Sequence, residues 1–221
     1  PGPIPTLQAV WELMGTDRFW SAIATTLTRA VAGFALALLI GTTIGVLVAR
    51  VRPLRLAVGA LITGLQTMPS ISWFPLAILL FGINEQAILF VVVLGAAPSI
   101  ANGVISGIDQ VPPAFWRLGR VLGAGPFAMY RNIILPAALP GYVSGLTQGW
   151  AFAWRSLMAG ELLVIIAERP SLGAQLEFAR QLAKAPQLLG TMLVILVIGM
   201  LVDGLFSSAS RRMRERRGLA T

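Results

Sequence analysis

Five long apolar stretches alternate with short polar segments along the chain, at roughly 27 to 49, 57 to 81, 86 to 108, 139 to 166 and 187 to 207. A helix needs about 20 predominantly apolar residues to cross a bilayer, so each stretch predicts a membrane-spanning helix. No low-complexity linker and no domain-sized polar insertion interrupts them. Residues 1–221 therefore read as a single transmembrane domain, an all-α polytopic helix bundle.

The basic residues between the spans orient the bundle. Arg50, Arg52 and Arg55 follow the first span, Arg117, Arg120 and Arg131 separate the third from the fourth, and Arg211, Arg212, Arg214, Arg216 and Arg217 follow the fifth. All fall on one side. The opposite side carries Arg18, Arg169, Arg180 and Lys184, offset by Glu12, Asp17, Glu85, Glu168 and Glu177. The positive-inside rule places the first set in the cytoplasm, and a multi-pass protein of a bacterial inner (plasma) membrane is expected. Five spans ending inside begin outside, so a sixth span is expected before Pro1. The segment from Thr6 to Trp20 is then an amphipathic stretch on the outer surface, anchored in membrane lipid by Trp11 and Trp20.

Composition narrows the chemistry. Hydrophobic residues make up 56% of the sequence, charged ones 12%, and the mean hydropathy is +0.79. Histidine and cysteine are absent, which excludes His-based triads, thiolate chemistry and metal sites built on either residue. No Gly-rich Lys-Ser/Thr phosphate loop occurs. The net charge of +8 lies in the loops and reads as a cytoplasmic bias rather than a nucleic-acid footprint. An enzyme is therefore not expected, and no cofactor or metal is expected in this chain. Gly33, Gly41, Gly45, Gly59, Gly64 and Gly199 read as points of close helix approach.

Two polar segments stand out. Glu168 to Gln187 has apolar residues at Leu172, Leu176, Ala179 and Leu182, which predicts a short amphipathic helix outside. Residues 109–140 open with Pro112-Pro113, place Phe115, Leu118, Val121 and Leu122 on one helical face, and turn at Gly123-Ala124-Gly125-Pro126. A second short helix from Phe127 to Leu135 is expected to end at Pro136. Two short helices around such a turn form a rigid knob, more than a connector needs.

The spacing Gly123, nine residues, Ile133, any residue, Leu135, Pro136 resembles the cytoplasmic coupling loop of binding-protein-dependent ABC importer permeases. The Glu-Ala-Ala triplet of that pattern is replaced here by Arg117-Leu118-Gly119. The runs ATTLTRAVAGFALALLIGTTIGVLVARVRPLR, MPSISWFPLAILLFGI and AWRSLMAGELL resemble the nitrate/sulfonate/taurine type, and an aliphatic sulfonate permease most. The resemblance implies a type I importer permease fold, a homodimer with a second copy of itself, two cytoplasmic ATPase subunits that bind the ATP and Mg, and an external solute-binding protein. Within that implication Arg117, Leu118, Gly119, Gly123, Ala124, Ile133, Leu135 and Pro136 form the ATPase-coupling loop. The solute is a small anion, a sulfonate first, with taurine, nitrate or bicarbonate as alternatives.

A charge at membrane depth is a functional candidate by default. Arg155 lies near the middle of the fourth span with Gln148, Trp154 and Glu161, although six helical residues put Arg155 and Glu161 on different faces. In the second span Gln66, Met68, Pro69 and Ser70 mark a break, because proline removes an internal hydrogen bond; broken backbone at membrane depth lines a cavity or is buried in protein. Asn102, near Pro98, adds a weaker polar feature. These residues predict an anion pathway; the alternative is that Arg155 ties neighbouring helices together and the kink serves packing alone. Arg29 reads as snorkelling to the outer interface and Asp203 as pairing with a basic neighbour. An ion-gradient-driven secondary transporter or channel is the alternative, and it predicts acidic ion sites at the midplane, for which only Glu161 qualifies.

Overall fold

The computed structural model describes residues 2–216. In chain order it contains α1 (Pro3–Met14), α2 (Asp17–Arg50), α3 (Arg52–Thr67), a 3-10 turn (Ser70–Trp73), α4 (Phe74–Phe81), α5 (Glu85–Asp109), α6 (Pro113–Val121), α7 (Pro126–Met129), a π-helical turn (Tyr130–Ile134), α8 (Leu135–Leu163), α9 (Leu172–Gln181) and α10 (Ala185–Arg216). By length and composition α2, α5 and α10 can each cross a membrane, and α3 with α4 makes a fourth span if the bent pair is counted as one. The remaining expected span, the fourth in chain order, is α8, long enough at 29 residues, but Gln148, Arg155 and Glu161 among its apolar residues make it more polar than those three.

The centre of the bundle is α5. Of its most apolar 18-residue window 61% is buried, against 28% for α2 and 11% for α10. Small residues explain why. Gly33, Ala37, Gly41 and Gly45 recur every four residues on α2, and a Cβ at Gly41 would stand 2.5 Å from the carbonyl oxygen of Ala97. On the other side Gly103 and Gly107 of α5 meet Gly145 and Gly141 of α8 backbone to backbone, with each added Cβ at Gly103 or Gly145 only 2.5 Å from the facing Cα. Without a hydrophobic drive between helices in lipid, such close approach supplies the dispersion contact that holds them together. Phe74, Ile88, Val91, Val92, Ile100, Trp150 and Leu157 fill the remaining core.

The second span is broken where expected, with α3 and α4 meeting at 105° across Met68-Pro69. Several expectations change in detail. Pro136 does not end a helix, because α7, the π-helical turn and α8 run on without interruption and Pro136 occupies the first turn of α8. The wider π turn relieves the clash that a proline ring makes with the preceding turn. The expected stretch Thr6 to Trp20 divides at Gly15 into α1, packed on α10 where Val10 meets Gly190, and the start of α2. Trp11 and Trp20 are both exposed, and Trp20 Nε1 donates to the Met14 carbonyl at 2.9 Å. A Cβ added at Gly59 or Gly64 would meet nothing within 4 Å among the described residues, so neither marks a close approach within this chain.

Candidate translocation path and docking surface

One face of α8 borders a continuous groove. Ser144, Gln148, Ala151, Arg155, Met158 and Leu162 follow one another at steps of three and four residues, the repeat of a single helical face. The inner part, with Ser144, Gln148, Asp203, Ser207 and Arg211, encloses about 610 Å3. The outer part encloses about 580 Å3 between α8 and α10, with Arg155 set among Trp150, Trp154, Met158, Met192 and Met200, and Asp203 lines it as well. Trp154 stacks on Trp150, which stacks on Phe206, so this wall is rigid aromatic surface. Gly199 of α10 makes room for it, since a Cβ there would lie 3.0 Å from Trp154 Nε1.

Arg155 is exposed in that groove. Its Nε donates to the Ala151 carbonyl at 3.2 Å and its guanidinium lies 5.1 Å from the Phe152 ring centroid. Among the described residues no carboxylate pairs with it. Asp203, on the facing helix, likewise has no ion pair among the described residues, contrary to the basic neighbour expected for it.

The break between α3 and α4 reaches α8 beside this groove. Ser156 Oγ donates to Ser70 Oγ at 2.8 Å, and Gly95 of α5 leaves the space that Ser156 fills. Gln66 Nε2 donates to Ser99 Oγ at 2.9 Å, while Met68, Pro69 and Asn102 are exposed. The residues read from the break are thus held against α5 and α8, one helical position from Arg155 rather than on its face.

Glu161 and Arg29 are corrections. Glu161 is fully buried on the far side of α8 from Arg155, and Arg29 is only 5% exposed, so it does not snorkel. Arg29 Nη1 donates to Glu161 at 2.9 Å, and its Nε and Nη2 fork onto Glu85 at 2.7 and 2.6 Å. Thr26 Oγ1 and the Gly173 N–H complete the donors to Glu161, at 2.9 and 3.1 Å. The grouping of Thr26, Arg29 and Glu85 with Glu161 escaped sequence reasoning because they lie far from Glu161 in the chain. The available signal was pairwise: two intramembrane charges of opposite sign toward the same outer end of two spans.

The knob between α5 and α8 turns its apolar face outward. Phe115, Leu118, Val121, Leu122 and Phe127 are exposed, Val121 by 86%, with Arg117 and Arg120 beside them. Gly119 alone of α6 is buried, seated on Met129 and Ile133, so in the Arg117-Leu118-Gly119 triplet only the glycine faces inward. Gly123 has φ of +67° and closes α6: its N–H reaches the Arg120 carbonyl at 3.1 Å and the Ala124 N–H reaches Gly119 at 2.9 Å. This is the left-handed C-terminal cap that glycine adopts without strain. Ala124 and Ile133 pack on a small cluster of Val111, Met129, Ile134 and Ala138, while Leu135 and Pro136 remain at the surface. Trp116 meets Tyr130 edge to face at 5.7 Å, and Arg50 covers Tyr130 at 4.8 Å, tying the knob to the end of α2.

This arrangement has relatives. The bicarbonate transport system permease protein CmpB of Synechococcus elongatus is 31% identical over 74% of this chain and 63% of CmpB. The taurine transport system permease protein TauC of Escherichia coli is 26% identical over 99% of this chain and 80% of TauC. Among solved structures, an inward-facing conformation of the MetNI methionine ABC transporter superposes with a TM-score of 0.70, 24% identity, and coverage of 92% of this chain and 97% of the other, which establishes the fold. Residues 41–215 match the family described as binding-protein-dependent transport system inner membrane component, and the chain belongs to that family, as a multi-pass permease subunit of an ABC importer.

Proposed function

We propose that this permease carries a small anionic solute, a sulfonate first, along the α8 face past Arg155, in a homodimer driven by two ATPase subunits seated on α6. The observation that carries the reading is Arg155 itself, a cation exposed in an apolar groove with no carboxylate paired to it among the described residues. At about 4 Å and an effective dielectric of about 20, its attraction for a monovalent anion is worth about 4 kcal/mol, enough to offset much of the anion's dehydration. Trp150, Trp154 and the methionines around it favour a solute with an organic tail over a bare inorganic ion. The name of TauC, a taurine permease, supports an organic sulfonate, while that of CmpB, a bicarbonate permease, supports the wider class of small anions.

The secondary-transporter alternative loses its one candidate ion site. Glu161 has its charge met by Arg29 and its oxygens occupied by Thr26 and Gly173. The exposed apolar strip of α6 supports docking to an ATPase, since a contiguous apolar patch outside the bundle marks a partner surface. The ATP and Mg belong to that partner.

The test is uptake of a labelled alkanesulfonate by the assembled importer with Arg155→Gln, which keeps polarity and removes charge. Uptake is expected to fall steeply while assembly and basal hydrolysis persist. Unchanged uptake in a well-assembled variant overturns the path. For docking, Gly123→Asp forces a side chain onto the left-handed position and is expected to abolish transport-coupled hydrolysis with the protein still in the membrane. Normal coupled hydrolysis overturns the docking assignment.

A further inference from the structure

The buried cluster around Glu161 contains more than a tie between spans needs. Arg29, Glu85 and Glu161 already join α2, α5 and α8. Thr26 and Gly173 add something else, because they bring in α9. Thr26 Oγ1 accepts from the Leu172 N–H at 3.0 Å, and Glu161 accepts from the Gly173 N–H at 3.1 Å. These are the first two peptides of α9, whose N–H groups have no partner within the helix. Ser171 caps the next, accepting from the Ala174 N–H at 3.3 Å. Gly173 is the only residue type that fits this seat, since a Cβ there would collide with the Cβ of Glu161.

The consequence appears one turn further on. Gly173 and Leu176 of α9 wall the outer end of the groove that holds Arg155. Leu176, Glu177 and Arg180 also line a recess of about 410 Å3 in front of Ile71, Ala159 and Met192, where the α3–α4 break meets the same face of α8. We propose that Glu161 is a positioning residue for transport: with Thr26 it holds the N-terminus of α9, and so sets α9 as a lid over the outer end of the groove. The inference rests on reading the groove as the solute path. Loosening the lid strains two hydrogen bonds from neutral peptide donors and a third from Gln175 Nε2 to the Arg18 carbonyl at 3.4 Å, and leaves both Arg29 ion pairs in place. Leu172 stays anchored on Phe19 and Ala22 at the start of α9, so the motion is a swing of the exposed far end about that seat while the charged core of the bundle stays intact.

The chain has no cysteine, so a single one reports cleanly. Met158→Cys places a thiol in the groove beneath α9, to be labelled from outside by a membrane-impermeant reagent in the full chain assembled with its ATPase. Thr26→Val removes the hydroxyl without changing the volume, and Gly173→Ala pushes α9 off Glu161 while removing no charged group. Each is expected to raise the labelling rate by roughly tenfold, the shift in a local opening equilibrium on losing a buried hydrogen bond. Thr26→Ser is expected to restore the slow rate. Unchanged labelling in both assembled variants overturns the lid. Failure of both to assemble overturns it as well, because the cluster then holds the fold rather than placing α9. Labelling reads access and not uptake, so a failed Arg155→Gln uptake test sinks the path while the labelling result still decides the lid.

Discussion

Two arginines at membrane depth, Arg29 on α2 and Arg155 on α8, have opposite surroundings. Arg29 is 5% exposed and faces two carboxylates, using three of its nitrogens on them. Arg155 is exposed in an apolar groove and, among the described residues, donates only to a carbonyl of its own helix. A buried cation whose charge and donors are all met has nothing left for a solute, and its removal leaves its partners stranded. One that is left unmatched is available. Ionisable residues in membranes thus divide by what meets them, and depth alone does not assign a role.

The sharpest way to break this contrast is Arg29→Gln, which strands Glu161 at zero exposure. Removing one partner of a buried pair costs about 3 to 5 kcal/mol. The variant is expected to lose most of its folded, detergent-stable protein, measured by thermal unfolding or size-exclusion recovery. Full recovery would show that Glu161 is satisfied by Thr26 and Gly173 alone. Arg29→Lys is expected to fall between, losing about 1 to 3 kcal/mol, because an ammonium cannot fork onto Glu85 while reaching Glu161.

The same contrast explains what was legible in the sequence. The spans were, because about 20 apolar residues with basic flanks encode them locally. So was the Gly123 turn, whose φ of +67° requires the residue that the motif supplies. The Arg29 cluster was not, since it joins residues 132 positions apart, and periodicity along one helix says nothing about a partner on another. Pro136 misled for a related reason: proline reads as a stop unless the turn before it widens, as Tyr130–Ile134 does. The α5–α8 contact was within reach. Gly103 and Gly107 on one helix and Gly141 and Gly145 on the other each repeat at four residues, the spacing that puts small residues on one face.

Arg155→Met is expected to do little to stability, within about 0.5 kcal/mol or slightly stabilising, because it strands no carboxylate and fills an apolar groove. Thermal unfolding beside Arg29→Gln makes the comparison directly. A loss as large as that of Arg29→Gln would mean that Arg155 has a structural partner in the assembled protein, and that the two arginines are alike after all.

The smallest effect is expected from a third pair, Glu177 and Arg180 on α9. Its geometry copies that of Arg29 with Glu85: Arg180 forks onto Glu177 at 2.8 and 2.5 Å, and Gln181 adds a donor at 2.9 Å. Only the surroundings differ, for Arg180 is 66% exposed. The hydrogen bond from Arg180, with that from Gln181, lowers the Glu177 carboxyl from its ordinary 4.5 to about 2. A carboxyl held down in the folded state contributes stability above its unfolded value, and that contribution fades as pH falls from about 4.5 towards 2. For a pair open to water the contribution is screened and small. Glu177→Gln is therefore expected to leave the unfolding midpoint unchanged between about pH 5 and 8, and to remove only a shallow acid-side slope near the C-terminal turn of α9, readable by hydrogen exchange there. A global loss at neutral pH comparable to that of Arg29→Gln would show that fork geometry sets the strength of these pairs, and that burial does not.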